Sequence, residues 1–182
     1  MKIKEFHISG PKLIDCMVIP DGRGFFCERN RADLFEQAGL PTFFPQENQS
    51  RSAHRVLRGL HYQYDKPQGK LVTCMAGEIL DCIVDIRKKS PTYGESLSFT
   101  LRGDQPQWLW IPPGFAHGFC ITSKEGADIL YKVTEYYNPK GEGGIMWNEK
   151  HFALPWPVED PVLSKRDSVS QSFADYDKSP MF

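Results

Sequence analysis

Residues 70–86 read KLVTCMAGEILDCIVDI. Two apolar runs, 70–75 and 78–86, are rich in Leu, Val and Ile and are broken by Ala76-Gly77. Short β-branched runs bounded by Gly read as strands. The two-residue break predicts a hairpin between them. The same signature recurs outward from this stretch. From Val56 onward the pattern is strongly β, with further runs at 96–101, Gln107–Ile111, 118–122 and 128–137. Pro112-Pro113-Gly114 and Asn138-Pro139 act as breakers. Upstream, the run 13–19 stops at Pro20-Asp21-Gly22, and 24–29 is a second short run. One helix is predicted over 32–38, with Leu34, Phe35 and Ala38 at helical spacing and Gly39 and Pro41 as stop signals. The Pro-rich segment from Trp147 is expected to wrap the rest as short helical turns. Many strands with short turns and few helices predict an all-β sandwich or barrel, and a jelly roll is the natural candidate. No internal repeat or linker divides the chain, so a single domain over 1–182 is expected.

Charge and composition exclude several classes. Lys plus Arg number 22 and Asp plus Glu 23, for a net charge of -1. No global basic field is available to hold nucleic acid, although a local patch can hold a phosphate. The 12 Phe, 7 Tyr and 4 Trp favour strands and a pocket with flat faces. Five cysteines, Cys16, Cys27, Cys74, Cys82 and Cys120, form no CxxC pair and sit in apolar runs, so buried free thiols are expected. The opening MKIKEFHISG is too polar for a signal-peptide core, and no apolar run approaches the roughly 20 residues of a membrane span. A soluble cytoplasmic protein with no membrane or nucleic-acid partner is the expectation.

The chemistry centres on RGLHYQ, residues 58–63, with Lys70 and Tyr131 on other predicted strands. An imidazole such as His61 can take a proton beside a carbonyl. An ammonium such as Lys70 can steady the charge that develops on oxygen. A phenol such as Tyr131 can return a proton from another direction. Each alone has a plainer explanation, since a histidine on an apolar strand is usually a hydrogen-bonded structural group and a strand tyrosine usually packs. Alternation puts Tyr131 on one face with Ile129 and Val133, directed inward. His117, in PPGFAHGF, is either a turn residue capping backbone groups or a pocket histidine. Asp167, in LSKRD, is either a loop aspartate or the carboxylate that orients His61. The histidines His7, His54, His61, His117 and His151 include no HxH pair and no compact triad, so no metal is expected. Arg23, Glu28, Gln46, Asn48, Arg58 and Arg166 each read as solvated polar residues. Guanidinium groups also suit a diphosphate, and whether these residues converge stays open from their spacing.

Taken together, DGRGFF (21–26), PQENQS (45–50), VLRGLHYQ (56–63), the run 67–94, QWLWIPPGFAHGF (107–119), LYKVTEYYNP (130–139), GEGGIMWN (141–148) and PVLSKRD (161–167) resemble the dTDP-4-dehydrorhamnose 3,5-epimerase family over nearly the whole chain. The resemblance implies a cupin-type jelly roll, no metal or organic cofactor, and a dTDP-4-keto-6-deoxyhexose substrate. It also implies a homodimer with an exchanged N-terminal segment. It implies His61 as base with Asp167 as its partner, Lys70 at the C4 oxygen, Tyr131 as proton donor and His117 as a second pocket histidine. Arg23, Phe26, Glu28, Gln46, Asn48, Arg58, Glu142 and Arg166 fall at substrate-contacting positions. Glu47, Met146 and Arg166, the last in place of a common lysine, depart from the pattern near the nucleotide contacts. The implied activity is inversion at C3 and C5. The alternatives are inversion at one carbon only, or a catalytically silent sugar-nucleotide-binding barrel. A metal-dependent cupin oxygenase is disfavoured by the missing histidine cluster.

Overall fold

A computed structural model describes residues 1–182. Thirteen strands follow in order: β1 Lys2–Glu5, β2 Lys12–Asp15, β3 Met17–Asp21, β4 Gly24–Glu28, β5 Gln46–Ser52, β6 Leu57–Gln63, β7 Lys70–Ala76, β8 Glu78–Asp85, β9 Ser96–Arg102, β10 Gln107–Ile111, β11 Phe115–Ile121, β12 Ala127–Val133 and β13 Glu142–Gly144. Helix α1, Ala32–Gln37, lies between β4 and β5, and helix α2, Phe173–Lys178, is the last element. Two sheets face each other in a sandwich, ordered β1-β2-β10-β7-β12-β5 and β13-β6-β11-β8-β9, and β3-β4 form a separate ribbon. No helix is long and apolar enough to cross a membrane.

Both sheets are covered on the outside as well as the inside. Ile79, Ile83, Val72, Phe119 and Ile129 belong to the core between the sheets. Phe35 and Leu40, from α1 and the turn after it, pack on Leu71, Trp108 and Trp110 outside the first sheet. Phe152, Phe173 and Tyr176 of the C-terminal wrap pack on Leu60, Val84 and Ala116 outside the second. Strands covered twice need no polar face, which is why β10 and β11 read as continuous apolar runs rather than alternating ones.

The predicted hairpin at Ala76-Gly77 does not form. β7 lies in the first sheet and β8 in the second, so the break is a corner between sheets. Gly77 takes φ +79°, and a Cβ there would meet the Gly126 carbonyl oxygen at 2.3 Å. A tight two-residue break looks the same in sequence whether the strands pair or part. The run 13–19 also divides. It bends at Cys16 and leaves β2 in the sandwich and β3 in the ribbon. The strand expected over 128–137 ends at Val133. Cys74, Cys82 and Cys120 are buried as expected, whereas Cys16 and Cys27 are only half-buried; all five thiols are free. The polar strand β5, QENQSRS, was not anticipated, because a polar edge strand carries no apolar signal.

One irregularity places the site. Directly opposed residues of β11 and β6 are His117 with His61 and Phe119 with Arg58. Two residues of β11 therefore span the same distance as three of β6, which is a β-bulge. Without it Arg58 and His61, an odd number of positions apart, would point to opposite faces. Gly59 carries the bulge at φ +121°, where a Cβ would lie 2.5 Å from Gly118 Cα and 2.7 Å from the His117 carbonyl oxygen. Both obstacles are backbone and cannot swing away. Gly59→Ala is expected to destabilise the fold by roughly 2 to 4 kcal/mol, the sum of the φ strain and the clash. A urea titration measures it, and a loss under about 0.5 kcal/mol, the level of an ordinary surface change, would show that the bulge tolerates a side chain.

Candidate active site

The space between the sheets is not completely filled. A cavity of about 580 Å³ remains, lined among others by Asn48, Arg58, His61, Lys70, His117, Tyr131 and Asp167. Strand alternation explains how the polar residues meet there. Lys70 shares its face of β7 with Val72 and Cys74, and Tyr131 shares its face of β12 with Ile129. His117 lies on the same face of β11 as Phe115 and Phe119. Each strand thus contributes apolar residues to the core and one polar residue to the cavity.

His61 and Tyr131 stand on opposite sheets, so they occupy opposite walls. Asp167 reaches His61 from the C-terminal wrap: the His61 Nε2 to Asp167 Oδ1 distance is 2.5 Å. The second carboxylate oxygen accepts from Ser164 Oγ at 2.9 Å. The carboxylate is 3% exposed, not a loop aspartate in solvent. Burial pushes its pKa up, but the hydrogen bond and charge of His61 and the Ser164 bond outweigh burial and hold it below the usual carboxylate range. Asp167 is therefore an anion hydrogen-bonded to His61 Nε2.

Lys70 crosses the cavity from the first sheet, with Nζ 3.4 Å from the His61 carbonyl oxygen. Burial pushes its pKa down to about 8, against the opposing pull of Glu142 and Asp81. It remains an ammonium at neutral pH, but a poorly compensated one. His117 bonds Asp81 through Nε2 at 2.9 Å, so it does not cap a turn. Burial holds its pKa below the ordinary imidazole value. Burial raises Tyr131, with Arg58 pulling the other way, so the phenol keeps its proton.

Gln46, Asn48, Glu142 and Arg166 also line the cavity. Gln46 Nε2 donates to Asn48 Oδ1 at 2.9 Å, and Arg166 Nη1 donates to Glu142 Oε2 at 2.6 Å. Arg58 Nε donates to Ser52 Oγ at 3.1 Å. Arg23, Phe26 and Glu28 are not brought to this cavity. They lie on the β3-β4 ribbon, where Arg23 pairs with Asp21 at 2.6 Å. No group of three or more His, Cys, Asp or Glu side chains is arranged to hold a metal ion. Tyr137, Gln68, Ser50 and Ser164 also line the cavity and were not singled out from the sequence. Nor was Asp81, although an acid inside the apolar run ILDCIVD is a signal, because a buried charge has to find a partner.

Residues 5–175 match the model of the dTDP-4-dehydrorhamnose 3,5-epimerase family. A dTDP-4-dehydrorhamnose 3,5-epimerase of Shigella flexneri is 44% identical over 179 residues, covering 97% of this chain and 98% of that one. A dTDP-6-deoxy-D-glucose-3,5-epimerase of Legionella pneumophila, solved in complex with dTDP-4-keto-L-rhamnose, superposes with a TM-score of 0.90 at 42% identity, over 94% and 92% of the two chains. A 4-keto-6-deoxy sugar epimerase from the novobiocin gene cluster of Streptomyces spheroides superposes with a TM-score of 0.94 at 31% identity, over 100% and 92%.

The environment of Lys70 makes its titration a direct test of the site. Lys70 is expected to titrate near pH 8, well below an ordinary lysine, as read by nuclear magnetic resonance of its Nζ or εCH₂ group. Glu142→Gln removes one charge that holds the ammonium, so it is expected to lower that value further. An Lys70 that titrates with the surface lysines would mean that the cavity walls do not desolvate it.

Proposed function

The chain belongs to the dTDP-4-dehydrorhamnose 3,5-epimerase family, and we propose that its cavity inverts C3 and C5 of dTDP-4-dehydro-6-deoxy-D-glucose, giving dTDP-4-dehydro-L-rhamnose. The observation that carries the mechanism is the placement of the oriented His61–Asp167 pair and the protonated Tyr131 on opposite walls, with the Lys70 ammonium in the same cavity. A C4 ketone acidifies the hydrogens on both neighbouring carbons. His61 removes one, and the electron pair moves to the C4 oxygen as an enolate. Lys70 donates to that oxygen, an interaction that contributes about 3 kcal/mol to the transition state. Tyr131 then protonates the carbon from the opposite face, and this inverts it. His61 releases the abstracted proton to solvent and Tyr131 regains one from it, and the same sequence at the second carbon then completes the reaction. Nothing is oxidised overall, so the chemistry asks for no redox cofactor.

Arg58, Arg166, Gln46 and Asn48 line the same cavity and carry donors for the diphosphate and base. Arg23, Phe26 and Glu28 complete the site of a second copy in a homodimer. The support for this is the ribbon's composition: Met17, Val18, Ile19, Phe25 and Phe26 are all exposed, Phe26 at 66%. An apolar patch of this kind marks an interaction surface. We place the enzyme in the cytoplasm, in keeping with five unpaired thiols.

Turnover of dTDP-4-keto-6-deoxyglucose in deuterated water tests the reaction. Deuterium is expected at both C3 and C5. Incorporation at one carbon would make the protein a mono-epimerase, and at neither a binding module. His61→Asn is expected to abolish exchange at both carbons while binding of thymidine diphosphate persists. Tyr131→Phe is expected to keep exchange while losing inversion, most plainly at C5. A Phe variant that inverts both centres at the wild-type rate would assign the acid to another group.

The ribbon has its own test. Phe25→Asp/Phe26→Asp is expected to convert a dimer into a folded monomer with strongly reduced activity, measured by sedimentation and circular dichroism. A wild-type protein that is fully active as a monomer at low concentration would end the shared-site reading.

A further inference from the structure

Asp81 is fully buried on β8, between Ile79 and Ile83 on the same strand face. One of its oxygens, Oδ2, meets His117 Nε2 at 2.9 Å. The other, Oδ1, is sealed from solvent and has no hydrogen-bond partner. Such a carboxylate is costly to keep, and this one lies directly behind a histidine that lines the cavity. With Asp81 as the accepting carboxylate, Nε2 of His117 is the donor and carries the proton. In a neutral ring Nδ1 then keeps its lone pair. Only Ser50 Oγ and Asp81 Oδ1 are side-chain polar atoms both buried and unpartnered. His117 Nδ1 makes no protein hydrogen bond and is not among them, so it opens to the cavity.

We propose that Asp81 is a positioning residue, which holds His117 as a neutral ring with Nε2–H turned to the core and Nδ1 presented to the cavity as acceptor for a hydroxyl of the sugar. This rests on the reading of the cavity as a sugar-nucleotide site. It has a consequence for specificity: an ionised diphosphate offers acceptors and no donors, so it is excluded as the partner of Nδ1. The charges around the ring agree. Burial disfavours the imidazolium most, and His61 on β6 and Lys70 on β7 oppose it too; Asp81 alone favours it. Tyr131 faces the same cavity from β12, and Glu142 and Arg166 bound it near Lys70.

Nuclear magnetic resonance of ¹⁵N-histidine-labelled wild-type protein reads the ring directly and needs neither turnover nor a variant. At pH 7 the expected state is Nε2 protonated and Nδ1 bare, unchanged on saturation with thymidine diphosphate. A proton on Nδ1, with or without the nucleotide, would overturn the proposal. Asp81→Asn then tests the positioning. Its amide can donate to Nε2, so the tautomer is expected to flip. kcat is expected to fall roughly 10- to 100-fold, the usual cost of losing an orienting partner, with thymidine diphosphate affinity within about twofold. An Asp81→Asn protein that binds the nucleotide with the tautomer and kcat unchanged would reduce Asp81 to a packing residue. If wild-type protein shows no exchange with the keto sugar, the functional reading fails instead, and the nitrogen shifts still decide what Asp81 does to His117.

Discussion

Desolvation organises this molecule. Helix α1 and the C-terminal wrap cover the outer faces of the two sheets, and the core fills most of the space between them. Central strands are left without a solvent face, so a polar side chain placed on one must satisfy its needs inside. His61 finds Asp167 and His117 finds Asp81. Lys70 finds only a long contact to a backbone carbonyl. Asp167 is satisfied at both oxygens, whereas Asp81 keeps Oδ1 unpartnered and Lys70 holds only that long contact.

Burial and pairing act on the cavity residues in different proportions, and the balance decides each protonation state. For Asp167 the hydrogen bonds win and the group stays an anion. For Lys70 burial wins, and its pKa falls to about 8 while the charge survives at neutral pH. For Tyr131 and His117 burial also wins, leaving a protonated phenol and a neutral imidazole. One cavity therefore holds a protonated phenol, an anionic carboxylate paired with an imidazole, and a cation at the same pH.

The C-terminal wrap serves two purposes. Phe152, Phe173 and Tyr176 cover the second sheet, and the segment before them supplies Val162, Ser164 and Asp167 to the cavity. Ser164 holds Asp167 twice: its hydroxyl donates to Oδ2, and it accepts from the Asp167 backbone N–H at 3.1 Å. The carboxylate is therefore fixed before it meets His61, which pre-organises the pair.

The all-β class, most of the central strands, the helix after β4 and the irregular C-terminal turns were legible in the sequence, because apolar periodicity and Gly/Pro breakers are local signals. His61, Lys70, Tyr131, His117 and Asp167, singled out by residue type and motif, all line one cavity. Strand parity correctly turned Tyr131 inward beside Ile129. Partnership was not legible. Ala76-Gly77 looks like a hairpin turn and is a corner between sheets, because a short break does not say which strand comes to lie alongside. β5 carried too few apolar residues to be seen. Arg58 and His61 face one cavity only because the Gly59 bulge shifts the register, and Asp167 meets His61 only because the chain returns across the barrel 106 residues later. The sequence determined which side chains were available and which face of each regular strand they took. The tertiary structure decided which of them meet, since pairing, register and burial depend on contacts between segments that no local pattern records.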